Sequence, residues 1–199
     1  MRLLVFDRTC PRLSLAWRTG ARLYRRLGRI DAAVGVTSWR DALVWLATHD
    51  RITEVQYWGH GKWGCALVDR TDVLDASALV PGHRLHRELE AVRERLDDAL
   101  IWFRTCETFG ARRGQDFAER LAGWTGARVA GHTFVIGFHQ SGLQGLEPGA
   151  RATWSPDEGV AAGSADAPER AHGSLPWRPQ TITCLHGAVP AAWFGVNAS

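Results

Sequence analysis

The chain has 199 residues, 45% of them hydrophobic and 23% charged, a composition that predicts one globular domain with a modest appendage and excludes a wholly disordered chain. A formal charge of +3, from 24 basic and 21 acidic residues, is too small and too mixed along the chain for a nucleic-acid footprint. No apolar run approaches the roughly 20 residues that span a bilayer, and Arg2 and Asp7 bracket only four apolar residues, too few for a secretory signal core. A cytoplasmic protein that engages neither nucleic acid nor membrane is expected.

In chain order, Arg2–Asp7 is an apolar run suited to a buried strand. Leu13–Leu27 carries Leu15, Leu23, Tyr24 and Leu27 at helical spacing and is stopped by Gly28. Ala32–Val36 reads as a second strand. Thr37 or Ser38 then caps a helix over Trp39–His49, with Trp39, Ala42, Leu43 and Leu46 on one face. Ile52–Trp58 is strand-like and ends in Gly59-His60-Gly61, and Gly64–Val68 adds a hairpin strand. The stripe Leu85, Leu89, Val92, Leu96 predicts a helix over His83–Asp97. Ala99–Arg104 follows as a strand ending at Thr105-Cys106, and Gly114–Trp124 as a helix with Gly126 beyond its end. Arg128–Ala130 and Phe134–Phe138 read as further strands.

Strands alternating with helices of this length imply right-handed crossovers and a largely parallel sheet covered on both faces, an α/β fold. After Gly142 the chain becomes rich in Pro, Gly, Ala and Ser and loses periodicity. The expected division is an α/β domain over 1–142 and a loop-rich C-terminal segment over 143–199 packing on it. Thr181–Leu185 is a weak last strand, and Trp193-Phe194 a docking point for the tail.

Ligands in such sheets bind beyond the carboxyl ends of the strands, and two reactive residues fall there. His60 closes one strand and Cys106 closes the next, one helical crossover later, so both belong on one edge of the sheet. An imidazole beside a thiol suits nucleophilic catalysis, raising the thiolate fraction and later protonating a leaving amine. Gly61 lets backbone approach a substrate carbonyl, so its N–H and that of Cys106 are candidates for an oxyanion hole. The four cysteines, Cys10, Cys65, Cys106 and Cys184, form no close pair. That argues against structural zinc, and disulfides do not persist in a reducing compartment. Neither metal nor cofactor is expected, and zinc held by His60, Cys65 and Cys106 stays a minor third reading.

Gly59-His60-Gly61 after one strand and Cys106 after the next resemble the caspase-like (clan CD) cysteine peptidases. The chain is most similar to a bacterial branch in which the Cys is followed by Gly-x-x-Phe and Leu-x-x-x-Thr-Gly-Ala. Here those stand as Gly114-Gln115-Asp116-Phe117 and Leu121-Ala122-Gly123-Trp124-Thr125-Gly126-Ala127. The resemblance covers about residues 2 to 137. It implies a three-layer α/β/α caspase-like fold, with strand order 2-1-3-4-5 plus an edge strand. It also implies a cysteine endopeptidase acting without metal, with Cys106 as nucleophile and His60 as general acid/base. Relatives that cut after basic residues line their first subsite with acids, one near the end of strand 1. By that likeness Asp7 and Asp69 are candidate substrate-binding residues for a basic P1 side chain, with Asp72 and Asp75 near them.

Glu107 departs from the pattern, because a carboxylate beside the nucleophile raises a thiol's pKa unless it is paired, with Arg104, Arg112 or Arg113 as nearby cations. His132 is a weaker candidate for lining the site. The expected partner is a protein or peptide substrate, with room for a regulatory protein. The competing reading is a catalytically inactive caspase-like module that binds a protein through the same cleft.

Overall fold

The computed structural model describes residues 1–194. Its elements, in chain order, are β1 (Arg2–Asp7), α1 (Ser14–Arg26), β2 (Ala32–Val36), α2 (Trp39–Leu46), β3 (Ile52–Trp58), β4 (His60–Lys62), β5 (Cys65–Val68), β6 (Asp72–Asp75), α3 (His86–Arg93), β7 (Leu96–Arg104), α4 (Ala111–Thr125), β8 (Arg128–His132), β9 (His139–Gln140), β10 (Leu143–Leu146), β11 (Val160–Gly163), β12 (Pro168–Ala171) and β13 (Ile182–Thr183). Six of the strands form one sheet in the order β10-β8-β7-β3-β1-β2. Every pairing is parallel except that of the edge strand β10 with β8. This is a mixed α/β fold, and its five parallel strands stand in the 2-1-3-4-5 order. No helix among the described residues is long and apolar enough to cross a membrane.

Strand alternation decides what each face carries. Leu3, Val5, Val55, Tyr57 and Phe103 point to one face, where they pack against α2, α3 and α4. Leu4, Phe6 and Trp58 point to the other, against Ala21 and Tyr24 of α1. Further along that second face no α-helix follows among the described residues. Leu100, Trp102, Ala130 and Leu143 are covered instead by Ile182 and Phe194 of the C-terminal segment. Among the described residues three α-helices thus share one face and a single α-helix the other. The expected docking of the tail at Phe194 is present, in a bridge to Gly145.

Several expected boundaries move. Ser38 is the cap of α2, accepting from the Asp41 N–H at 3.0 Å. The helix expected over His83–Asp97 spans only His86–Arg93, and Leu96 opens β7. α4 begins at Ala111, three residues earlier than its apolar stripe suggested. The apolar run Phe134–Phe138 is not a strand, and only Val135 makes an isolated bridge, to Gly173. β10 lies beyond Gly142, so the segment 143–199 supplies the edge of the central sheet as well as loops and the β11–β12 hairpin. Residues 195–199 lie outside the described residues.

Candidate active site

β3 and β7 are adjacent and parallel, with Trp58 opposite Arg104 in register. Both chains leave the sheet at the same edge. After Trp58 the chain turns at Gly59 into the small antiparallel sheet β4-β5-β6, with His60 as its first residue. After Arg104 it enters the loop Thr105–Gly110 that carries Cys106 and leads into α4. The two segments are bound together closely. The Gly64 N–H donates to the Thr108 carbonyl (3.1 Å) and the Thr108 hydroxyl to the Cys65 carbonyl (3.2 Å). Gly61 lies so near the cysteine loop that a Cβ there would sit 2.6 Å from the Cys106 carbonyl oxygen. Only glycine fits at that point.

His60 and Cys106 line one cleft of about 470 Å³ on the α1 face of the sheet. The Cys106 sulfur receives the Ile136 N–H at 3.4 Å. The run Phe134–Phe138, expected as a strand, is therefore the loop that brings a backbone donor to the Cys106 sulfur. Burial pushes the Cys106 thiol up and Glu107 adds to this, while the Ile136 N–H and Lys62 oppose it. His60 moves the other way: burial lowers it, Arg70 adds to this, and Asp7 opposes it. Its ring packs edge-on against Trp17 with centroids 5.6 Å apart, and its Nε2 is buried without a partner. His60 and Cys106 make no hydrogen bond to each other among the described residues. Both shifts favour a neutral imidazole and a protonated thiol rather than a preformed ion pair. The Cys106 N–H donates to no acceptor among the described residues. Gly61, the other expected oxyanion donor, sits beside the Cys106 backbone in β4, paired with Ala66.

Glu107 is buried and holds a left-handed backbone (φ 57°) directly after Cys106, a conformation that costs a non-glycine residue of order 1–3 kcal/mol. Its N–H donates to the Phe134 carbonyl (3.1 Å) and its carboxylate pairs with Lys62 Nζ at 3.0 Å. The partner is thus the sole lysine, two residues after His60, and not Arg104, Arg112 or Arg113. This pair ties the histidine segment to the cysteine loop and partly offsets the carboxylate beside the sulfur.

Other expectations fail on geometry. Asp7 has the strand parity of Leu3 and Val5, which carries it to the face opposite the cleft. It is fully buried, and its Oδ1 accepts from the Thr9 N–H (2.7 Å) and hydroxyl (2.6 Å). Asp69 is an exposed turn residue between β5 and β6 with φ 51°. Asp72 receives the Trp39 N–H and pairs with Arg84, and Asp75 caps the turn at Ser77. None of the four lines the cleft that holds His60 and Cys106. His132 is fully buried, its Nδ1 3.1 Å from the Ser141 carbonyl oxygen, with its pKa pushed down to about 3 chiefly by burial. It belongs to the core. No three His, Cys, Asp or Glu residues among those described gather as a metal set, which removes the reading through His60, Cys65 and Cys106.

Two cleft residues escaped sequence reasoning. Cys184 lines the cleft, a placement made by the long-range pairing of β13 with β9 that no local signal announces. Arg104 is buried at the cleft floor and all five of its N–H groups are used. They go to Gln140 Oε1 from Nε (3.1 Å) and Nη2 (2.9 Å), to the Tyr24 hydroxyl (2.6 Å) and to the carbonyls of His186 (3.0 Å) and Thr183 (3.3 Å). It is a clamp joining sheet, α1 and C-terminal segment. No protein-family model matches the chain, and no curated protein or solved structure matches it either.

Proposed function

We propose that the chain is a cysteine endopeptidase of the caspase-like kind, with Cys106 as nucleophile and His60 as general acid/base. The observation that carries this reading is that His60 and Cys106, from the ends of two neighbouring parallel strands, line one open cleft. In the reaction, the neutral His60 takes the thiol proton as the sulfur bonds to the peptide carbonyl carbon. The carbonyl oxygen gains charge in front of the free Cys106 N–H, where one well-placed donor contributes about 3–4 kcal/mol. His60 then delivers the proton to the leaving amine as the C–N bond breaks, leaving a thioester. Water adds to the thioester with His60 again taking a proton. The acid departs and the thiol regains its proton. No electrons are transferred, and no metal is required.

The inactive binding module is the second reading, favoured by the raised thiol and by the absence of a direct hydrogen bond to His60. Loose contacts before substrate binds are common in working enzymes. Digestion of a mixture of synthetic peptides, with new termini identified by mass spectrometry, separates the two. The proposal expects new termini with the native chain and none with Cys106→Ala or His60→Ala proteins of unchanged circular dichroism. Equal products, or none from the native chain, refute it.

A further inference from the structure

We propose that the cleft selects peptides by a bulky apolar side chain, of phenylalanine or leucine type, beside the bond presented to Cys106. This names a substrate class for the peptidase reading and rests on it. The cleft walls are apolar: Trp17 and Leu23 of α1, Trp58 from β3, Ile136 and Phe138 after β8, and Leu185 after β13. Leu23, Phe138 and Leu185 remain exposed, so apolar surface is concentrated at the mouth of the cavity that holds His60 and Cys106. Open apolar surface continuous with a reactive group marks a site that gains from covering by a ligand. A volume of about 470 Å³ admits a large side chain together with the peptide that bears it.

The charges in the cleft exclude the other classes. No Asp or Glu among the described residues lines it, and Arg104 lies in its floor. An arginine or lysine side chain would enter an apolar cavity holding a like charge, with no carboxylate to replace lost water. An acidic side chain would find the cation with all five of its N–H groups already committed. Only an apolar side chain leaves every polar group as it stands.

Binding to the Cys106→Ala protein tests the preference without relying on catalysis. The probes are acetylated tripeptide amides identical but for one residue, Phe, Leu, Arg or Asp, titrated by calorimetry or NMR. The Phe and Leu peptides should bind about ten- to a hundredfold more tightly than the Arg and Asp peptides, the span expected from burying such a side chain. Leu185→Glu, at an exposed wall position, should shift the preference toward Arg. Equal or tighter binding of the Arg peptide to the Leu185 form, or no binding of any peptide, overturns the inference. An apolar preference in a protein whose native form cleaves nothing refutes the peptidase reading and leaves the apolar cleft standing. Cleavage after arginine does the reverse.

Discussion

Gly61→Ala tests whether the histidine segment and the cysteine loop position each other. An added Cβ would lie 2.3 Å from the Thr108 hydroxyl, 2.6 Å from the Cys106 carbonyl oxygen and 2.8 Å from Thr105 Cβ. The hydroxyl can rotate, but the carbonyl is backbone. Since 3.0 Å is the closest approach real Cβ atoms make, the two segments must separate by about 0.4 Å. Overpacking of this kind destabilises by about 1–3 kcal/mol. A 1 Å misplacement costs about a hundredfold in rate, so 0.4 Å corresponds to roughly five- to tenfold. Urea unfolding and the rate of Cys106 modification by a peptidyl ketone read the two effects separately. Ala at position 61 with unchanged stability and unchanged modification rate would show that the segments are not in contact, and the described site would be wrong.

Other outcomes follow from the charges. Peptide cleavage should fall only at pH values below 6.5, as the lowered His60 becomes protonated, and should hold to above 9, where the raised Cys106 loses the proton that must reach the amine. A kcat/KM profile with an acidic limb above 6.5 contradicts this. Removing the cation by Lys62→Met should raise the Cys106 pKa further, and Glu107→Gln should lower it. Lys62→Met should also destabilise more, by about 1–3 kcal/mol, because it leaves a buried carboxylate unpaired. Thiol titration and urea unfolding check both. His132, at about 3 when folded, binds fewer protons than in the unfolded chain between pH 3 and 6.5, so stability falls as pH drops through that window. From pH 6.5 to pH 5 the loss is about 1.6 kcal/mol, and His132→Gln should flatten that slope in urea titrations.

Much of the fold was legible because buried parallel strands are short apolar runs and their crossover helices carry periodic stripes. The same rules explain the misses. Leu96 continues the helical spacing of Leu85, Leu89 and Val92 by coincidence, yet the chain turns after Arg93 and Leu96 pairs with Ile52. Phe134–Phe138 is apolar because Phe134 fills the core and Phe138 faces the cleft, so composition alone could not separate loop from strand. The direction of Asp7 was legible, since alternation with Leu4 and Phe6 sends it to the face away from α1. The Lys62–Glu107 pair, the Ile136 N–H and Cys184 depend on contacts between segments distant in sequence, and no local pattern encodes them.

The most direct test of the central claim is the covalent adduct with a peptidyl ketone bearing phenylalanine at P1, located by mass spectrometry. Because Cys184 shares the cleft, the native chain and Cys184→Ser should be compared. The account predicts one adduct, on Cys106 in both proteins, formed at least tenfold more slowly with His60→Ala. Modification of Cys184 in place of Cys106, or a rate indifferent to His60, would contradict it.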